Sequence, residues 1–160
     1  MDRQELGNRI VALTGTLYHV SYSLLRREAD REDAVQSAIE KGWRKAAALR
    51  DERKLKPWLV RILINECYSI LRASKRELPA ETQYEPPGCA DPRRDALRDG
   101  ILALPDTLRL PIVLHYMEGF SINDIASALR CPKGTVLSRM NRGRNLLKEY
   151  LTEANRDENE

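Results

Sequence analysis

From Pro132 to Lys148 the chain carries Lys133, Arg139, Arg142, Arg144 and Lys148 and not one acid to offset them. A helix with charge of a single sign can displace counterions from the phosphates of DNA, and polar side chains in its first turns can reach base edges. At 100° per residue Val136, Met140, Gly143, Leu147 and Tyr150 or Leu151 share one side, while Thr135, Ser138, Asn141, Arg142 and Asn145 fall on the other. Immediately upstream, Ser121 opens a short helix with Asp124 three residues on, a capping-box-like start, and a tight turn follows up to Pro132. Together these residues spell a helix-turn-helix. The bland alternative is an ordinary helix with a solvated basic face.

A second stripe able to meet nucleic acid consists of Arg61, Asn65, Ser69 and Arg72, prolonged by Lys75 and Arg76, with Lys54 and Lys56 in the loop before it. It too has a bland reading as a wetted face. Asp33, Gln36, Glu40 and Arg44 recur one turn apart and make a polar, partly acidic stripe unsuited to DNA; it either binds a basic protein helix or simply faces water. Trp43 and Trp58 read as amphipathic core anchors.

Chemistry that breaks or forms covalent bonds has no constellation here. Cys67, Cys89 and Cys131 lie far apart with no Cys-x-x-Cys spacing, and neither His19 nor His115 stands beside one to complete a zinc set. There are no clustered carboxylates and no nucleophile with a partner base, so no catalytic residue, metal or cofactor is expected. An odd cysteine count without a pairing pattern fits a reducing compartment. The chain has no leader-like start and no apolar run of membrane-spanning length, since the longest, Trp58 to Leu71, is interrupted by Arg61, Asn65, Glu66 and Ser69. A cytoplasmic protein is expected.

The elements that must position these stripes are helices. Of 160 residues 42% are hydrophobic and 32% charged, with a single Phe, a soluble and helix-leaning composition. The net charge of +3 is too small to identify a partner, so its distribution carries the information. Leu6, Ile10, Leu13, Leu17, Val20 and Leu24 predict one first helix; Val35, Ala38, Ile39, Gly42, Trp43, Ala46 and Ala47 predict a second, beginning near Arg31 with Asp30 as its cap. A third starts at Pro57 and buries Leu59, Ile62, Leu63, Cys67, Ile70 and Leu71. Pro79, Pro86, Pro87, Gly88 and Pro92 mark a linker over 78–94. Shorter helices are then expected at about Asp95–Ala103, Asp106–Met117, Ser121–Leu129 and Pro132–Leu151, before a frayed acidic tail over 153–160. The expectation is an all-α chain of two small helical domains, 1–77 and 95–152, each near the lower size limit for a self-sufficient core.

With those residues in view, REDAVQSAIEKGW and KPWLVRILINECYSILRASKR resemble region 2 of the sigma-70 family of RNA polymerase sigma factors. LPDTLRLPIVLHYMEGFSINDIASALRCPKGTVLSRMNRGRNLL resembles region 4, and the order and compactness resemble the extracytoplasmic-function (ECF) group. The resemblance implies a monomeric bacterial factor that directs promoter-specific transcription initiation with core RNA polymerase. Its first domain would dock Asp33, Gln36 and Glu40 on the beta-prime clamp helices and open the minus-10 element with Lys54, Lys56, Arg61, Asn65 and Arg72, in part by capturing an extruded base. Its second would read the minus-35 element in the major groove with Lys133, Thr135, Ser138, Arg139, Arg142 and Arg144 and hold the beta flap. The linker would thread along the polymerase. Relatives are commonly restrained by a membrane-linked anti-sigma factor, so such a partner is expected, with no membrane insertion by this chain.

Some residues depart from the family pattern. Arg130 stands at a turn where relatives usually carry Gly; a left-handed backbone there would cost about 1 kcal/mol. Leu137 replaces a common basic residue, implying a missing phosphate contact, and Gly143 a common Ala, implying a less rigid helix. Ser69 in place of Asp and Pro57 in place of Ala alter the expected minus-10 contacts. The loop before Pro57 has no aromatic wedge, which points to a narrow set of promoters. The competing readings are a stand-alone helix-turn-helix transcriptional regulator, which leaves the second and third helices unexplained, and a nucleic-acid enzyme such as a recombinase.

Overall fold

The computed structural model describes residues 2–75 and 92–159, and every described element is helical. The chain splits into two compact units, one built around its first four helices and the other around later ones. The linker expected over 78–94 lies outside the described residues as far as position 91, as do Arg76 and Cys89.

In the first unit α1 spans Arg3–Ala12 and α2 Thr14–Leu24. Asp2 caps α1 by accepting the Gln4 N–H at 2.9 Å. The single first helix expected from periodicity is thus two, interrupted at Leu13 (φ −89°, ψ −2°). The residues that follow, Thr14, Gly15 and Thr16, are poor helix formers, while the apolar spacing runs on undisturbed across the break. Helix α3, Glu28–Lys45, starts a turn earlier than expected: Arg27 is its N-cap, and Asp30 lies in the first turn, where it complements the helix dipole. Helix α4, Leu55–Ser74, follows two short 3-10 turns, Ala46–Ala48 and Glu52–Lys54, and keeps Pro57 in its first turn.

Ile10, Leu17, Val20, Leu24, Val35, Ala38, Leu59, Leu63 and Cys67 form the centre of this unit. Helix α4 packs against both α2 and α3, so its buried stripe widens to take in Val60 and Ile64, while Ile62, Ile70 and Leu71 stay half-buried. Gly42 permits a close approach of α3 to α4, because a Cβ there would stand 2.6 Å from Leu59 Cδ1. Lys41 and Glu66 tie the same two helices with an ion pair. Trp43 is 36% exposed rather than a core anchor, and Trp58 is half-buried. The Trp43 ring lies over α1 at Gly7, with the Arg3 guanidinium carbon 4.9 Å from its centroid.

One charged side chain lies at the heart of this unit. Arg31 is fully buried, and its Nε donates to the Leu25 carbonyl at 3.1 Å, its Nη2 to the Arg26 carbonyl at 3.0 Å and its Nη1 to Glu28 Oε2 at 3.2 Å. The Tyr22 ring covers it at 3.7 Å. Arg31 therefore serves the carbonyls of the α2 C-cap and of the residue after it.

The second unit repeats the device. Helix α5 spans Pro92–Ala103, beginning at a proline suited to a first helical position, so helix replaces the last residues of the expected linker. Helix α6 is Asp106–Ile112. Arg109 on α6 donates to the carbonyls of Ile101 (3.1 Å), Leu102 (2.9 Å) and Leu104 (2.5 Å), and to Asp106 Oδ1 (3.0 Å). Where one helix was expected to reach Met117, α6 gives way to a π-helical turn over Val113–Met117. Pro111 has no N–H for the regular ladder, and the winding opens just beyond it, with Glu118 N–H reaching Val113 O at 3.2 Å. Gly119 (φ +70°) ends the turn, and His115 Nδ1 donates to the Phe120 carbonyl at 2.8 Å.

Helix α7, Ile122–Leu129, is capped by Ser121, whose Oγ accepts the Asp124 N–H at 3.1 Å. Helix α8 runs from Lys133 to Glu158, so the acidic stretch expected to fray is helical. Beyond Thr152 it contains no Gly or Pro and several good helix formers, and Thr152 Oγ1 donates back to Lys148 O at 2.8 Å. Helix α8 packs on α5 and α6. Gly143 sits at the α6 crossing, where a Cβ would stand 2.5 Å from Ile112 Cδ1 and 3.3 Å from Leu108 O; its role is close approach rather than slack.

The turn between α7 and α8 places Arg130 at φ +53°, the left-handed backbone anticipated there. An Arg130→Gly chain is expected to gain about 0.5–1 kcal/mol, the released strain less the extra freedom of glycine when unfolded. Thermal unfolding checks this as a rise in Tm of a few degrees; a fall would mean that the side chain contributes more than its backbone costs.

Candidate nucleic-acid interface

Helix α8 owes its surface to its buried side. Val136, Met140 and Gly143 are buried and Leu147 is half-buried, which fixes the rotation of the helix and turns Ser138, Asn141, Arg142 and Asn145 outward, where they are exposed. Lys133, Arg144 and Lys148 are exposed along one flank. Thr135 and Arg139 are only half-buried at the other margin, and Tyr150, one of two alternatives for the inward side, is exposed while Leu151 is half-buried. The capped α7 and the Arg130 turn deliver α8 with its first turns unobstructed by any acid of its own. Arg144 is not a loose charge: its Nη1 donates to the Tyr116 hydroxyl, from the π-helical turn, at 2.9 Å.

In the first unit the outer side of α4 carries Asn65, Ser69 and Arg72, all exposed, and Arg72 Nη2 donates to Ser69 Oγ at 3.1 Å. Arg61 and Lys56 are half-buried, and Lys54 is exposed in the 3-10 turn that precedes the helix. That turn is held by its N-cap and by α1. Asp51 accepts from the Arg53 backbone at 3.1 Å and from its side chain at 3.2 and 3.4 Å, contacts that hold the Asp51 carboxyl below the usual carboxylate range. Arg9 of α1 donates to Glu52 O at 3.1 Å.

Asp33, Gln36 and Glu40 are exposed on α3, opposite the buried Ala34, Val35 and Ala38. Arg44 lies on the same stripe, its Nη2 3.8 Å from Glu40 Oε1. The structure thus gathers the acidic stripe on one helix and the minus-10 candidates on the next helix and its leading loop.

Reactive groups are scarce among the described residues. Cys67 is buried, and burial first, then the Glu66 charge, push its thiol up to about 12, so it stays protonated at neutral pH. No group of three or more His, Cys, Asp or Glu side chains is placed to hold a metal, and no helix is long and apolar enough to cross a membrane, among the described residues. Sequence reasoning missed Arg31, Arg109, Arg9 and Tyr116. The acid-x-x-Arg spacing shared by Glu28 with Arg31 and Asp106 with Arg109 was the available signal for the two clamps.

Comparison with known proteins bears on these surfaces. Residues 10–77 match the family model described as Sigma-70 region 2, and residues 94–147 match Sigma-70, region 4. The RNA polymerase sigma-H factor of Pseudomonas aeruginosa is 32% identical over 141 residues, covering 76% of this chain and 73% of that protein. The ECF RNA polymerase sigma factor SigM of Mycobacterium tuberculosis is 32% identical over 142 residues, covering 84% and 71%. Among solved structures, the sigma factor RpoE in complex with the anti-sigma factor NepR from Bartonella quintana is similar with a TM-score of 0.80 and 28% identity, over 93% of this chain and 98% of that one.

Proposed function

The chain belongs to the ECF group of the sigma-70 family, and from that membership we propose that it binds core RNA polymerase and selects promoters through two separate surfaces. The observation that carries this reading is the division of labour between exposed faces: an α8 with no acid before Glu149, presented by a capped helix-turn-helix in one unit, and an acidic stripe on α3 beside a basic and polar α4 in the other.

In this reading α8 enters the major groove of the minus-35 element. Ser138 and Arg142 face base edges, Thr135 and Arg139 support them from the margin, and Lys133 and Arg144 meet phosphates, with Tyr116 steering Arg144. In the first domain, 1–77, Asp33, Gln36 and Glu40 take the beta-prime clamp helices, and Asn65, Arg61, Arg72, Lys54 and Lys56 hold the opened minus-10 strand. A captured single base exposes a pairing edge that a stacked base hides. The second domain, 95–152, also takes the beta flap. The protein supplies no bond-making step and needs no cofactor or metal; the chemistry belongs to the polymerase. It works as a monomer in the bacterial cytoplasm and is restrained by an anti-sigma factor, as the RpoE neighbour is bound by NepR.

Reconstitution with core RNA polymerase on promoter DNA tests the reading. Stoichiometric co-purification and start-site-specific run-off transcripts are expected; a stand-alone regulator would bind DNA and give neither. Within that system Arg142→Ala is expected to weaken minus-35 binding by about 1–3 kcal/mol if the guanidinium reads a base in bidentate fashion. Equal loss on every promoter sequence would reduce Arg142 to a phosphate contact.

A further inference from the structure

Leu137 has no folding role that its position explains. Val136 and Met140 beside it are buried, but Leu137 is 52% exposed, and it is the one large hydrophobic side chain exposed within the first three turns of α8. It stands one turn after Lys133 and one turn before Asn141, on the flank that also carries Arg144 and Lys148. All four of those neighbours are exposed and polar. An isobutyl group there gains nothing from phosphates, and leaving it in water forgoes the free energy of burying apolar surface. The major groove offers it one apolar partner, the C5-methyl group of thymine.

We propose that Leu137 is a specificity-determining residue that reads the methyl group of one thymine in the minus-35 element. The inference rests on the reading that α8 lies in the major groove. Where a basic side chain would grip any sequence through the backbone, leucine trades that general attraction for preference at one base pair. Asn141, next along the same flank, has an amide able to pair with an adenine at N6 and N7, so the pair together favours an A·T-rich step.

The experiment uses holoenzyme assembled from core polymerase and the full chain, with promoter duplexes in which each thymidine of the minus-35 region is replaced singly by deoxyuridine. Deoxyuridine removes the methyl group and keeps the pairing. At one position the natural chain should lose about three- to five-fold in promoter affinity, the worth of one buried methyl-sized group. Leu137→Ala should bind uracil and thymine equally at that position. Leu137→Lys should also lose the discrimination while binding more tightly at low salt and with a steeper salt dependence. The proposal fails if no position responds to deoxyuridine although scrambling the minus-35 element still abolishes binding. It fails equally if the response persists in Leu137→Ala, or if Leu137→Ala weakens all promoters alike, which would place the side chain against protein. Should scrambling the element leave the natural chain unaffected, the groove reading itself falls and this inference with it.

Discussion

Arg31→Ala is expected to destabilise the first unit by about 3–5 kcal/mol, most of what a helical module of this size has to lose. The substitution strands the carbonyls of Leu25 and Arg26, which now accept from Arg31 at 3.1 and 3.0 Å, and buried acceptors left without a donor cost about 1–3 kcal/mol each. It also removes the cation from the Tyr22 ring and opens a cavity between α2 and α3. The Glu28 contact adds little, since that carboxylate is half in water. Arg31→Lys should recover only part of the loss, because an ammonium cannot reproduce the planar fork that serves neighbouring carbonyls. Urea unfolding followed by circular dichroism reads both variants; a shift under about 1 kcal/mol for the alanine chain would show that the carbonyls find water.

The double reversal Asp33→Lys, Glu40→Lys is expected to weaken assembly with core polymerase by about 30- to 100-fold, or roughly 2–3 kcal/mol. Both side chains are exposed on α3, so neither supports the core. Glu40 loses only an exposed partner in Arg44, and surface pairs of that kind contribute little. Stability should therefore be nearly unchanged, as should binding of minus-35 DNA. Affinity measured by fluorescence anisotropy on labelled chain separates the outcomes: unchanged assembly would remove α3 from the polymerase contact, whereas assembly lost together with stability would indicate misfolding.

Regular amphipathic spacing made α8 and its outward face legible, because burial of Val136, Met140 and Gly143 follows directly from their 3.6-residue recurrence. The cap at Ser121 and the left-handed Arg130 were legible for the same local reason: each depends on a few adjacent residues. What periodicity missed was long in reach or opposite in sign. It counts arginine as a surface residue, so it passed over Arg31 and Arg109, whose burial depends on carbonyls at the end of a preceding helix. It reads straight through Leu13 and Ile112, where the backbone changes course while the apolar side continues. Gly143 looked like a weakness along one helix, yet it lies where α8 approaches Leu108 and Ile112 of α6 closely. Trp43 looked like a core residue because its ring is apolar, yet a ring over Gly7 with Arg3 above it can be satisfied at the surface.

The arginine clamps have a bearing on how the chain is made. Each joins a helix to the one before it across no more than eight residues of sequence, Arg31 back to Leu25 and Arg109 back to Ile101. Such short-range corners require little loop closure, so they can form as soon as both helices have emerged from the ribosome. The amino-terminal half is expected to be native while the carboxyl-terminal half is still being translated, able to find an enzyme or an inhibitor before its own synthesis is finished.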